Sequence, residues 1–92
     1  MIALRLVVRG RVQGVGFRYA MVDVAAMHGV AGWVRNRRDG TVEALVQGER
    51  APVEAVLAWC RRGPPAARVD EVESFAATPD PALAAFSHAP TA

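Results

Sequence analysis

Polar and apolar residues alternate from the first residues of the chain. Leu4, Leu6 and Val8 take one side and Arg5 and Arg9 the other, which predicts a strand over residues 2–9 with one buried face. Residues 10–16 read Gly-Arg-Val-Gln-Gly-Val-Gly, and three glycines in seven positions predict a loop. The period then changes. Met21, Val24, Ala25 and His28 recur at helical spacing, predicting a helix from Phe17 or Arg18 to His28 that stops at Gly29. Residues 32–38 and 41–47 return to strand character. Asp39-Gly40 between them is a hairpin signal, because a two-residue turn wants positive φ at both positions. A second helix is expected over Pro52–Arg62. Val53, Val56, Leu57 and Cys60 form its stripe, and Gly63-Pro64-Pro65 ends it. Residues 67–77 read as a fourth strand, and 84–88 as a possible short fifth. Residues after His88 are expected to fray.

The order strand, helix, strand, strand, helix, strand is that of the split β-α-β, ferredoxin-like α+β domains: an antiparallel sheet with two helices on one face. A right-handed crossover makes strands one and two parallel, with strand three between them. Their C-terminal ends then share one edge of the sheet. The glycine loop that follows strand one is thereby brought toward Arg35-Asn36 near the end of strand two.

Ninety-two residues suit one domain with one core. No apolar run reaches the length of a membrane span, and the N-terminus lacks the layout of a signal peptide, so a cytoplasmic location is expected. One cysteine, Cys60, excludes an internal disulfide and reads as a small core residue. The chain has no lysine, so Schiff-base chemistry is excluded. No cluster of His, Cys and carboxylates carries metal-ligand spacing, so no cofactor is expected. The net charge of +2 favours small anions but falls far short of a nucleic-acid coat.

The chemistry concentrates where the glycine loop meets the first helix. Glycines let successive N–H groups converge, and a helix N-terminus adds unpaired donors and positive potential. Together they suit a phosphate, to which Arg18 in the first turn can add a bidentate contact. The loop lacks the Lys-Ser/Thr of a Walker A motif. Asn36, with donor and acceptor on one amide, shares a strand face with Val34 and could hold a water for in-line attack; near Asp39-Gly40 it could also be a turn residue.

Gly10-Arg11-Val12-Gln13-Gly14-Val15-Gly16-Phe17-Arg18 resembles the first signature of the acylphosphatase family. Gly32-Trp33-Val34-Arg35-Asn36, followed by Asp39-Gly40-Thr41-Val42-Glu43, resembles the second, and Gly63-Pro64-Pro65 leading to Val69 and Val72 is similar to family members too. The resemblance covers roughly residues 3–77. It implies a metal-free hydrolase that splits the carboxyl–phosphate bond of acyl phosphates. The backbone of Gln13, Gly14, Val15, Gly16 and Phe17 would cradle the phosphate, Arg18 would anchor it, and Asn36 would orient the attacking water. A free-standing monomer acting on a small molecule, with no nucleic-acid or membrane partner, is expected.

Other residues carry weaker readings. His28 at a helix C-terminus suits the dipole better than catalysis. Arg35, Arg37 and Arg38 form a basic cluster that is either a solvated hairpin or a steering patch. The apolar first helix either packs tightly or hides surface in a dimer. Two other functions fit the same topology. One is an RNA-binding ferredoxin-like module, disfavoured by only six aromatic residues. The other is an acylphosphatase-like unit serving another protein, as in the N-terminal domain of a hydrogenase maturation factor acting on carbamoyl phosphate.

Overall fold

The computed structural model describes residues 1–92. Its elements run β1 (Ile2–Arg11), α1 (Phe17–His28), β2 (Ala31–Asn36), β3 (Val42–Gly48), α2 (Arg50–Arg62), β4 (Arg68–Ala77) and β5 (Phe86–His88). The five strands form one sheet in the order β4-β1-β3-β2-β5. β3 is antiparallel to both β1 and β2, so those two run parallel with β3 between them, as the crossover argument requires. The short fifth strand exists, but it pairs parallel with β2, which makes the sheet mixed rather than purely antiparallel. No helix is long and apolar enough to cross a membrane.

Both helices cover the face that carries Leu6, Val8, Val34, Ala44 and Val46, and these residues share one buried cluster with Phe17, Met21, Ala25, Val53, Val56 and Cys60. Burying each large apolar side chain contributes about 1.5–3 kcal/mol. The stripe of α2 therefore holds that helix although its outer face is polar. Burial pushes the Cys60 thiol pKa up to about 12, which makes it an unreactive core residue, as expected.

Four expectations need correction. First, α2 begins at Arg50, two residues before Pro52. A proline is tolerated there, because N–H groups in the first turn have no intrahelical acceptor. Second, Asp39-Gly40 is not a two-residue turn with positive φ at both positions. Only Gly40 has positive φ, at 92°, and its N–H donates to the Arg37 carbonyl while Arg37 N–H donates to Thr41. The loop is thus a three-residue one, with the glycine in the left-handed position. Third, His28 does not sit in the buried stripe of α1. It is exposed in the last turn, beside Met27, which is 82% exposed. Fourth, the tail after His88 is tied down. Ala89 N–H donates to Val34 O, Ala92 N–H to Asn36 O, and Arg38 N–H to Ala92 O.

The other face of the sheet is open to solvent yet not simply polar. Arg5 and Arg35 both donate to Glu43, each at 2.7 Å. The Arg35 guanidinium lies 4.6 Å from the Trp33 ring centre, and that of Arg5 lies 4.7 Å from that of Phe75. Ala3 and Val7 on this face are buried. Arginine stems cover apolar surface while their charged ends reach the carboxylate and the water.

Candidate active site

Residues 12–16 carry the chain from β1 into α1. Gly14 and Gly16 have φ of 72° and 80°, and Gly16 is the N-cap residue of α1. A residue with a Cβ is disfavoured in that left-handed conformation, so the glycine allows the tight entry into the helix. The cap has no side-chain hydrogen bond, and no acidic residue lies in the first turn. No backbone N–H from Gln13 to Phe17 donates to an acceptor within the protein. The loop therefore presents a run of unpaired donors at the positive end of a helix dipole, the arrangement that binds phosphate and similar anions.

Phe17 is buried and packs on Trp59 with ring centres 5.2 Å apart, which fixes the start of α1 to α2. The next residue, Arg18, is partly exposed and pairs with no carboxylate. It lines a cleft of about 250 Å³ together with Val12, Gly14, Gly16, Phe17 and Tyr19. A larger groove of about 640 Å³ lies between α1 and the segment after α2, lined by Asp23, Trp59, Arg62 and Pro64 among others. It contains none of Arg18, Asn36 or the loop residues, so size alone does not mark the site.

Asn36 is the last residue of β2 and lies across from Val42. It falls on the helix-covered face, as the alternation with buried Val34 requires. Its Oδ1 is buried and has no hydrogen-bond partner within the protein, the only such side-chain atom in the chain. A buried acceptor left unsatisfied costs about 1–3 kcal/mol, and such atoms gather where a ligand or water is meant to supply the donor. The backbone around it is held on both sides, through the pairing with β3 and through Ala92.

The glycine loop and the β2–β3 hairpin are joined by one side chain. Gln13 Nε2 donates to Arg37 O at 2.7 Å and to Thr41 O at 2.8 Å. The hairpin is braced in turn by Asp39, whose Oδ1 accepts from Thr41 Oγ1 at 2.6 Å and from Thr41 N–H at 3.0 Å. These bonds, the side-chain one foremost, and the positive charges of Arg37 and Arg9 hold the Asp39 carboxyl below its usual pKa.

The sequence reading placed Gln13 in the loop for its backbone and missed its side chain. A single long amide among glycines, facing a hairpin across the sheet edge, was the available signal. The basic cluster separates in space. Arg35 belongs to Glu43 on the open face, Arg37 lies 3.7 Å from Asp39, and Arg38 is exposed. Glu43 combines opposing influences: burial raises its pKa, but hydrogen bonds from Arg35 and Arg5 outweigh that and hold it below the ordinary value.

The acylphosphatase family model matches residues 4–88. An acylphosphatase of Anaeromyxobacter dehalogenans is 57% identical over 82 residues, which is 89% of this chain and 88% of that protein. One from Acidiphilium cryptum is 60% identical over 80 residues, 86% of this chain and 88% of the relative. The crystal structure of acylphosphatase from Bacillus subtilis superposes with a TM-score of 0.92 at 35% identity, covering 97% of this chain and 99% of that one. With a match that spans both the glycine loop and the strand that ends in Asn36, the chain belongs to the acylphosphatase family.

Proposed function

We propose that the chain hydrolyses the carboxyl–phosphate bond of small acyl phosphates to a carboxylate and inorganic phosphate, by in-line attack of water. The unpaired N–H groups of Gln13, Gly14, Val15, Gly16 and Phe17 hold the phosphoryl oxygens, and Arg18 supplies the counter-charge. Asn36 Oδ1 accepts a hydrogen bond from the water and so aims its lone pair at phosphorus. The P–O bond to the acyl oxygen breaks as the P–O bond to water forms, and the carboxylate leaves. The water's proton passes to a phosphoryl oxygen of the substrate.

This scheme needs neither a metal nor a general base. A carboxylate is a good leaving group, and the transition state of phosphoryl transfer is loose. Positioning and charge stabilisation then carry most of the acceleration. Asp39, the carboxylate nearest in sequence to Asn36, is committed to Thr41. The observation that carries the reading is the buried, unpartnered Oδ1 of Asn36 on the strand next to the anion cradle.

The test is phosphate release from benzoyl, acetyl and carbamoyl phosphate with chelator present. Turnover of benzoyl and acetyl phosphate is expected. No release from any of the three overturns the proposal. Release from carbamoyl phosphate alone favours the carbamoyl-phosphate-handling alternative.

A further inference from the structure

The cradle grips only the phosphoryl group, so the acyl group must leave it through the mouth of the cleft. Tyr19 lines that cleft and is 67% exposed. Three other large apolar residues are exposed, Met1 and Met27 more than Tyr19 and Phe75 less. They lie at the chain start, at the end of α1 and on the open sheet face, and none lines this cleft. Tyr19 takes no part in the buried core, and most of its surface faces solvent beside the glycine loop.

The Tyr19 ring is also held in place. Its centre lies 4.7 Å from that of His88, with the planes at 55°, and the Arg18 guanidinium carbon lies 6.0 Å from it. His88 is the last residue of β5, opposite Val34 in the parallel pair with β2. One strand thus supplies Asn36, while its edge partner supports the ring. We infer that Tyr19, buttressed by His88, is the acyl-group subsite and selects acyl phosphates with flat aromatic acyl groups over small aliphatic ones. A benzoyl ring stacked on Tyr19 gains apolar contact and favourable quadrupole geometry that an acetyl group cannot match. The contact is with the leaving part, and it is present before and during bond breaking. It therefore acts mainly on KM.

This inference rests on the acyl-phosphate reading. Its test compares kcat/KM for benzoyl and acetyl phosphate in the unaltered chain and in Tyr19→Ala, Tyr19→Phe and His88→Ala. The benzoyl-to-acetyl ratio is expected to fall about fivefold in Tyr19→Ala, through a higher KM for benzoyl phosphate. It should be kept in Tyr19→Phe and fall about twofold in His88→Ala, with His88→Phe restoring it. An unmoved ratio in Tyr19→Ala, including a parallel loss with both substrates, overturns the subsite. An equal fall in Tyr19→Phe overturns the stacking argument, because it would implicate the hydroxyl. An unaltered chain that hydrolyses neither substrate overturns the acyl-phosphate reading and this inference with it.

Discussion

Gln13 Nε2 donates to the carbonyl of Thr41 at 2.8 Å, across 28 residues of sequence, and its second hydrogen goes to Arg37 O. One amide thereby ties the glycine loop to the hairpin that follows Asn36. Misplacing a reacting group by about 1 Å can cost on the order of a hundredfold in rate. Gln13→Ala is expected to lower kcat/KM for benzoyl phosphate about tenfold and to weaken inhibition by inorganic phosphate, since the cradle loses its brace. Full activity in that variant would show that the loop holds its shape unaided.

Asn36→Ala tests the water-positioning role against a structural one. The Oδ1 atom is buried without a donor from the protein, so its removal deletes a desolvation cost and no hydrogen bond within the fold. The expected result is a kcat lower by about a hundredfold, competitive inhibition by phosphate retained, and a thermal midpoint that is unchanged or raised. A lowered midpoint together with lost phosphate inhibition would make Asn36 a structural or binding residue instead.

Most of the topology could be read from the sequence, because burial of one face dictates both the strand period and the helix period. Leu4, Leu6 and Val8, or Val53, Val56 and Cys60, declare their element before any contact is known. The hairpin register could not be read. A two-residue Asp39-Gly40 turn would set Asn36 opposite Glu43, whereas the three-residue loop sets Arg35 there and Asn36 opposite Val42. That single residue of slip decides which side chain the carboxylate binds, and loop length is only weakly encoded by a glycine. The tail was equally opaque. Its bonds to Val34, Asn36 and Arg38 are backbone to backbone, and they leave no mark on residue type. The side-chain bonds of Gln13 were hidden for a related reason, because a long polar residue in a loop looks the same whether or not it has a partner.

Arg18→Ala separates charge from fold. Arg18 pairs with no carboxylate, and alanine is favoured in a helix, so the variant should unfold at the same temperature as the parent within a few degrees. Its kcat/KM for acyl phosphates should fall by about a hundredfold or more, the usual loss when a donor to a transition-state oxyanion is removed. Arg18→Lys should recover only part of it, because an ammonium cannot make the planar two-point contact. Near-parental turnover by the alanine variant would remove Arg18 from the mechanism.

Glu43 predicts an acid sensitivity with a definite sign. Hydrogen bonds from Arg35 and Arg5 hold its folded-state pKa below the ordinary value of 4.5. A carboxyl with a depressed folded pKa binds fewer protons folded than unfolded. Its stabilising effect is therefore fully present above pH 4.5 and lost as the pH falls through the folded pKa. Glu43→Gln keeps the shape but ends the titration. Its neutral-pH stability should drop by about 1–3 kcal/mol, because two charge-assisted hydrogen bonds weaken and the buried carboxamide cannot satisfy both arginines. Below the folded pKa the two proteins should converge, since protonated glutamic acid is then no better a partner than glutamine. Denaturant midpoints measured from pH 7 down to pH 3 check both statements. A gap that stayed constant across that range would mean that the contribution of Glu43 is packing rather than charge. The arginines sit on the open face, away from the cleft, so kcat at pH 7 should change less than twofold in the same variant, on the order expected for a distant surface change.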